Sequence, residues 1–185
     1  VMVIDDLADR PHDCDLLLNQ GCLIDDGVRY AGKVPPQCQL MLGPRFALLR
    51  DEFRQFRQEA KPRNGDVRRV LVFFGSTDPA GHTIYAVQAL SRLSIGKHQV
   101  DVVVGIENPW RKEVETLCQA QGFSCHVQST YMARLMVSSD FAIGAGGSST
   151  WERCCLGLPT LTFCIAENQR RLVAAAALSG LIYAP

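Results

Sequence analysis

The chain has 185 residues, of which 47% are hydrophobic, so it can bury a substantial core and is not expected to be disordered as a whole. Its 19 Lys and Arg residues balance 19 Asp and Glu residues, which gives a formal net charge of zero. A protein that neutralises nucleic-acid phosphates needs a basic face, so we expect no nucleic-acid partner. We also expect no membrane span, because no apolar run reaches the length of about 18 residues that a spanning helix needs.

Eight cysteines invite a disulfide or zinc interpretation, but no two of them have the C-x-x-C spacing. Cys154 and Cys155 are adjacent, which suits neither a structural zinc site nor an easy disulfide. Most of the cysteines have apolar neighbours, as Cys164 does in the run LTFC, and there cysteine acts as a small hydrophobic residue. The four histidines share no spacing typical of metal ligands. The sequence therefore predicts buried free thiols, no metal site, and a reducing, cytoplasmic location.

The first 60 residues predict three short strands followed by a helix. The strands are predicted at 1–6, 15–19 and 39–42, and the helix at 49–59. A polar, turn-rich linker follows, so we predict a domain boundary near residue 62. Residues 1–62 are too few to form a core of their own and are expected to be the C-terminal remnant of another domain. Because the chain opens and closes within strand-like runs, we expect it to be a fragment, truncated within the domain at 63–185.

From residue 68 onward, apolar runs alternate regularly with amphipathic stretches. A strand–helix period of roughly 20–25 residues predicts a parallel sheet with helices on both faces. The run at 102–104 lacks polar alternation, as expected for a strand that is covered on both faces. We therefore predict a doubly wound, Rossmann-like α/β fold. Strands are predicted at 69–74, 100–104, 123–127, 140–144 and 159–164, and helices at 82–94, 109–121 (with Pro109 in the first turn), 131–137, 150–156 and 168–179.

Three loops of this domain would lie at the carboxyl ends of the strands, where open α/β sheets bind ligands. The first is residues 75–79 (GSTDP), which follow the first strand of the domain. This loop matches neither G-x-G-x-x-G nor G-x-x-x-x-G-K-[ST]. A dinucleotide site is therefore poorly supported, and the loop is not a P-loop.

The second loop is residues 146–150 (GGSST), which lead into a predicted helix that carries Glu152. The two glycines permit close approach of the backbone, and exposed N–H groups at such a turn favour an anion. A carboxylate beside a phosphate-binding turn is suited to accept hydrogen bonds from ribose hydroxyls. The alternative is plain helix capping, because Ser or Thr followed by Glu is also a capping arrangement.

The third loop is residues 166–169 (AENQ), which follow the last predicted strand. The amides of Asn168 and Gln169 are suited to bind sugar hydroxyls or phosphate oxygens. The alternative is a helix start that Asn168 caps. Since consecutive parallel strands usually lie side by side, we expect this loop to be next to the second one.

Longer motifs of the chain resemble one bacterial family. They are VIDDLADR at 3–10, LGPRFALLRDEF at 42–53, SDFAIGAGGSSTWE at 139–152, GLP at 157–159 and ENQ at 167–169. With these motifs the chain resembles the UDP-2,4-diacetamido-2,4,6-trideoxy-β-L-altropyranose hydrolases of pseudaminic acid biosynthesis. More distantly, its Gly-Gly-Ser and Asn-Gln segments resemble the GT-B glycosyltransferase that makes lipid II.

The resemblance implies a GT-B fold in which residues 63–185 hold UDP and a nucleotide-sugar lies in the cleft between two domains. In the family reaction water attacks C1, the C1–O bond breaks with inversion, and UDP leaves without the help of a metal or other cofactor. The implied site comprises Gly146, Gly147, Ser148 and Ser149 at the diphosphate, Glu152 at the ribose, the backbone near Met132 at the uracil, Asn168 and Gln169 at the sugar and diphosphate, and Gly75, Ser76 and Asp78 lining the cleft.

One departure from the family pattern concerns catalysis. The family carries a catalytic His in a Gly-rich loop near the start of its N-terminal domain, and this sequence has no such loop. We therefore expect the chain to bind UDP but to be inactive alone, with Asn168 as its one candidate catalytic residue. Two alternatives are a GT-B glycosyltransferase, which would pass the sugar to an acceptor, and a non-catalytic UDP-sugar-binding domain.

Overall fold

A computed structural model describes residues 1–21, 26–93 and 99–185 of the chain. Cys22 and His98 lie outside the described residues. Within these ranges every helix is too short or too polar to cross a membrane. The elements are β1 Met2–Ile4, β2 Leu16–Asn19, α1 Asp26–Arg29, β3 Gln39–Leu42, α2 Asp51–Arg57, β4 Arg69–Phe73, α3 His82–Arg92, β5 Gln99–Val104, α4 Arg111–Gln121, β6 Ser124–Val127, α5 Met132–Val137, β7 Phe141–Ala145, α6 Ser149–Cys155, β8 Thr160–Phe163 and α7 Arg170–Leu178, with 3-10 turns at Pro44–Phe46 and Glu167–Gln169.

The strands form two parallel sheets. The smaller sheet has the order β1-β2-β3, and the larger sheet has the order β6-β5-β4-β7-β8. In the larger sheet the strand order reverses at β4, which pairs with β5 on one side and β7 on the other. The predicted strands and helices are all present, with ends that differ by at most two residues. The predicted doubly wound α/β fold is therefore confirmed.

Two details differ from the sequence-based expectations. Pro109 was predicted in the first turn of α4, but the helix begins at Arg111 after a non-helical Trp110. The side chain of Asn108 accepts a hydrogen bond from the Trp110 N–H at 2.8 Å, and this local turn delays the start of the helix. The run at 181–185 contributes only a single parallel bridge, between Tyr183 and Leu161.

Helices cover both faces of the larger sheet, as the uninterrupted apolar strands predict. Val70 and Val72 of β4 pack with α3 and α4 in one cluster. Leu71, between them, points to the opposite face and packs with α5. Helix α2 also belongs to this second face, because the fully buried ring of Phe53 lies in the same cluster. Residues before 62 therefore contribute to the core beneath the larger sheet.

Arg63 links the segment after α2 by hydrogen bonds to the face of the larger sheet that α2 and α5 cover. Its guanidinium donates to the carbonyls of Ser139 at 3.2 Å and Gly157 at 3.1 Å, and also to the carbonyl of Leu156. These carbonyls follow α5 and α6, where helix ends leave acceptors without partners. Burial lowers the pKa of Arg63, although the charge of Asp140 opposes this effect.

A buried carboxylate links three neighbouring strands. Asp101 of β5 accepts from Arg69 Nε at 2.6 Å and lies 2.7 Å from His126 Nε2. Burial by itself would raise the pKa of Asp101, but the hydrogen bonds from Arg69 and His126 outweigh it and hold the pKa below its usual range. This ion-pair cluster connects β4, β5 and β6.

No disulfide joins any two of the seven described cysteines. Cys14 and Cys118 are buried as predicted, whereas Cys164 is exposed, which corrects the prediction of burial at that position. Cys164 lies just past the end of β8, and its thiol contacts the carbonyl of Ala166 at 3.2 Å. The described residues contain no group of three or more His, Cys, Asp or Glu side chains that could hold a metal ion.

Candidate functional site

The three predicted loops meet at the carboxyl ends of β4, β7 and β8, where they border a cavity of about 360 Å³. Eight of the eleven predicted site residues line it, and the remaining three are Asp78, Gly146 and Asn168. We call this cavity the turn pocket. The predicted residues in its wall are Gly75, Ser76, Met132, Gly147, Ser148, Ser149, Glu152 and Gln169, and Arg50, Phe73, Phe74, Ala145 and Ile165 complete it.

The turn at 146–149 presents backbone donors to the turn pocket. The Gly146 N–H is taken by the carbonyl of Phe163 at 3.0 Å. The N–H groups of Gly147, Ser148 and Ser149 have no acceptor among the described residues. The Ser148 side chain makes no capping hydrogen bond to α6, so the capping alternative is not supported at this position. The turn therefore offers several donors to a ligand in the pocket.

The two glycines of the turn have different roles. A Cβ atom at Gly146 would lie 2.1 Å from Cγ2 of Val173, so close packing against α7 requires glycine there. A Cβ at Gly147 would meet nothing nearer than Gln169 Nε2 at 3.9 Å. Gly147 lines the pocket, whereas Gly146 is buried behind it.

The guanidinium of Arg153 donates hydrogen bonds to two hydroxyl side chains at the start of α6. It donates to Ser149 Oγ at 3.0 Å, to Thr150 Oγ1 at 3.2 Å and to the Ala145 carbonyl at 2.8 Å. Its side chain is buried, with a relative exposure of 2%, and this burial lowers the pKa of Arg153 to about 10. Sequence reasoning missed Arg153, because nothing in its local pattern distinguishes it from a surface residue of α6.

Glu152 supplies a carboxylate to the pocket. Its side chain is 21% exposed, and its Oε1 lies 3.8 Å from Arg50 Nη2. Burial raises the pKa of Glu152, while the charges of Arg50 and Arg153 oppose the rise. Its carboxylate accepts no hydrogen bond from the described residues, so it remains available to a donor on a ligand. Arg50, which also pairs with Glu52 at 2.7 Å, was not foreseen because it comes from the segment before α2.

Gln169 and Met132 add further donors. Gln169 Oε1 accepts from the Ile165 N–H at 3.1 Å, which fixes the amide so that its NH₂ group lies beside Gly147. Met132 is the first residue of α5, and its backbone N–H has no acceptor among the described residues. The turn pocket thus offers hydrogen-bond donors at Gln169 and at the backbone of Met132, in addition to those of the turn.

Asp78, predicted to line the cleft, is buried at 2% exposure and caps α3 instead. One carboxylate oxygen accepts from Thr83 N and Oγ1 at 2.8 and 2.7 Å, and the other accepts from the His82 N–H at 3.0 Å. Burial by itself would raise the pKa of Asp78, but these hydrogen bonds hold it below its usual range. The structure does not bring Asp78 into the turn pocket.

Asn168 lies on a second cavity, of about 510 Å³, between the two sheets. Asp6, just after β1, and Asn19, at the end of β2, share this cavity with Arg170 of α7. We call it the inter-sheet cavity. Asn168 directly precedes Gln169 in the chain, so adjacent residues border the two cavities. Sequence reasoning assigned both amides to a single site, because it did not resolve which way each side chain points.

Three relatives are similar to this chain. It is 25% identical over 161 residues to the UDP-2,4-diacetamido-2,4,6-trideoxy-β-L-altropyranose hydrolase of Campylobacter jejuni. This match covers 86% of this chain and 56% of that protein. It is 29% identical over 129 residues to the spore coat polysaccharide biosynthesis protein SpsG of Bacillus subtilis, covering 69% and 38%. It is 27% identical over 135 residues to an uncharacterized protein of Methanocaldococcus jannaschii, covering 69% and 28%. The first match confirms the resemblance that the motifs predicted.

Solved structures with a similar fold include two glycosyltransferases. WaaG, involved in lipopolysaccharide biosynthesis, matches with a TM-score of 0.50 at 17% identity, covering 91% of this chain and 48% of that one. MurG of Acinetobacter baumannii matches with a TM-score of 0.56 at 14% identity, covering 92% and 52%. At such identities the likeness concerns the fold, which is the Rossmann-like α/β fold of GT-B glycosyltransferases. No family model matches the chain. The matched regions span 56% or less of each of these proteins.

Proposed function

We propose that this chain is the nucleotide-sugar-binding part of a UDP-sugar hydrolase of nonulosonic (pseudaminic) acid biosynthesis. The observation that carries the proposal is the turn pocket, in which free backbone donors, a fixed amide and a carboxylate without a hydrogen-bond donor converge. The name of the Campylobacter jejuni relative supplies the reaction and the sugar class.

UDP fits the pocket group by group. The diphosphate would accept hydrogen bonds from the N–H groups of residues 147–149 and from the Gln169 amide, and it would face the cation of Arg50. The ribose hydroxyls would donate to Glu152, whose carboxylate can only accept when it is ionised. The uracil edge would meet the backbone at Met132. The hydrophobic rings of Phe73 and Phe74 line the wall between these polar groups.

In the proposed reaction, water attacks the anomeric carbon, the C1–O bond breaks with inversion, and the oxygen leaves with UDP. The N–H groups of the turn and Arg50 would stabilise the negative charge that develops on the leaving diphosphate. Asn168, on the inter-sheet cavity, would bind the sugar or the attacking water. Its role as a catalytic residue stays a prediction.

The test is calorimetric titration of the chain with UDP, ADP and 2′-deoxy-UDP. We expect UDP to bind more tightly than ADP. We expect Glu152→Gln to weaken the binding of UDP by about 1–3 kcal/mol, since the ribose hydroxyls lose a charged acceptor. The loss caused by the same substitution should be smaller for 2′-deoxy-UDP, which keeps only the 3′ hydroxyl of the ribose. Because the chain is expected to be inactive alone, a hydrolase would be separated from a transferase by UDP release from the altropyranose nucleotide without any acceptor, measured on a protein that also carries the domain with the catalytic His.

Glu52→Gln is a matched control, because Glu52 pairs with the same arginine and does not line the turn pocket. It should leave the affinity for UDP within about twofold of the wild-type value, because the ion pair is partly exposed. Equal binding of UDP and ADP would contradict the proposal. Equal losses in Glu52→Gln and Glu152→Gln would contradict the assigned role of Glu152.

A further inference from the structure

Arg153 is a buried cation that forms no ion pair with another described residue. Its side chain is 2% exposed, and its three acceptors are two hydroxyls and one carbonyl, all neutral. Among the described residues no carboxylate lies within 4.0 Å of its guanidinium, and its Nε has no hydrogen-bond partner. Burying a charge under these conditions is costly, because the water it gave up is replaced only by neutral dipoles.

Arg63 provides a contrast within the same chain. Its guanidinium donates to six carbonyls, five of which lie in the last turn of α5 or just after α5 and α6, where the backbone is electronegative, and it retains partial exposure. Arg153 instead lies beneath a turn whose backbone presents free N–H groups, which add partial positive charge. The charge of the adjacent Glu152 offsets part of this cost without pairing with the guanidinium, and an anion in the turn pocket would add further negative charge.

The hydrogen bonds of Arg153 also decide which way the Ser149 hydroxyl points. A guanidinium only donates, so Ser149 Oγ must accept from it, and the hydroxyl proton is directed elsewhere. Ser149 lines the turn pocket, and this proton is free to be donated to a ligand oxygen. A hydroxyl that accepts from a cation is also a stronger donor, because hydrogen bonds in a chain polarise one another.

We propose that Arg153 is a positioning residue for the diphosphate: it fixes the Ser149 hydroxyl as a phosphate donor, and its buried charge is compensated when the diphosphate binds. This inference rests on the proposed function and extends it to a residue that does not itself line the pocket. It requires that the contribution of Arg153 grow with the negative charge of the ligand.

The experiment measures the affinities of uridine, UMP and UDP for the wild type, Arg153→Met and Arg63→Met. Arg153→Met removes the charge and keeps a side chain of comparable length. We expect it to weaken UDP by about 10- to 100-fold, to weaken UMP less, and to leave uridine within about twofold, as for loss of a charge-assisted interaction. Arg63→Met, the control, should lower the melting temperature and leave the ratio of UDP to uridine affinity unchanged.

A purely structural role for Arg153 predicts a different result, because a distorted pocket would lose all three ligands by the same factor. That parallel loss would overturn the inference while leaving the UDP site intact. Failure of the folded wild type to bind UDP would instead overturn the proposed function, and the inference with it. These two failures are therefore distinguishable.

If Arg153→Met does not fold, Ser149→Ala tests the same proposal. It deletes the positioned hydroxyl and leaves Arg153 its bonds to Thr150 and Ala145. We expect a loss of about 10-fold for UDP and no change for uridine, the amount typical of one hydrogen bond to a charged group. An equal loss for both ligands, or no loss for either, would overturn the inference.

Discussion

A substitution at Asp78 can distinguish a structural role from a ligand-binding role. The sequence predicted that Asp78 lines the cleft, whereas in the structure it is buried. In Asp78→Asn only one oxygen remains, while the other position becomes an NH₂ group that faces a donor. The carboxylate has four contacts, with the N–H and Oγ1 of Thr83 and with the N–H and Nδ1 of His82. Whichever way the amide turns, its NH₂ group faces one of the two backbone N–H groups, so at least one of these hydrogen bonds is lost. Asparagine also tolerates the left-handed φ of 35° at this position, so the substitution adds little backbone strain.

The expected loss is large for a single polar substitution. Hydrogen bonds to a charged acceptor contribute about 1.5–3 kcal/mol each but overlap within one carboxylate, so we expect Asp78→Asn to lower the free energy of unfolding by about 1–3 kcal/mol. For a chain of this length that corresponds to a decrease of about 3–10 °C in melting temperature. Asp78→Ala should cost more, since it removes all four contacts and places alanine at a positive φ.

The pH dependence has a defined sign. The pKa of folded Asp78 is held below its ordinary value, so the carboxylate stabilises the fold at every pH above the unfolded value of about 3.9. This stabilisation is lost as the pH falls through the lower pKa of the folded state. The difference in unfolding free energy between wild type and Asp78→Asn should therefore be constant near neutrality and shrink below about pH 4.

Urea denaturation at several pH values and UDP titration together test this prediction. Asp66→Asn is the control, because Asp66 is exposed and its ion pair with Arg68 at 3.6 Å is expected to contribute less than about 1 kcal/mol. If Asp78→Asn proved as stable as Asp66→Asn but bound UDP more weakly, the capping role would be refuted. The cleft-lining role expected from the sequence would then be supported.

Two further predictions concern packing and a buried ion pair. Gly146→Ala should lower the free energy of unfolding by about 1–3 kcal/mol, because the new methyl group would overlap Val173, whereas Gly147→Ala should be tolerated; equal urea midpoints for the two variants would contradict this reasoning. Asp101→Asn should lower the free energy of unfolding by about 1–3 kcal/mol at neutral pH, because Arg69, whose side chain is 33% exposed, loses its paired carboxylate and keeps only the charge of Asp140. Since the folded pKa of Asp101 is lowered, the difference from wild type should shrink below about pH 4, and a difference that does not change with pH would count against the assignment.

Much of the fold could be predicted from the sequence because its signals are local. The alternation of apolar runs with amphipathic stretches depends on neighbours within a few residues, and it located the elements of both sheets. The rule that consecutive parallel strands lie side by side then brought the loops after β7 and β8 together, as the pairing of these strands confirms. Eight predicted residues accordingly line one pocket.

The remaining features depend on side-chain direction and on contacts between distant segments. Arg50 reaches the pocket only because the segment before α2 packs on the larger sheet, and Arg153 only because its side chain turns back beneath the turn. Asp78 and Asn168 occupy loops at the predicted edge, yet one carboxylate turns inward to cap α3 and one amide faces the inter-sheet cavity. A sequence pattern determines which elements form and, to within about two residues, where they lie. The orientation of each side chain is decided by the competition among all its neighbours in the folded chain.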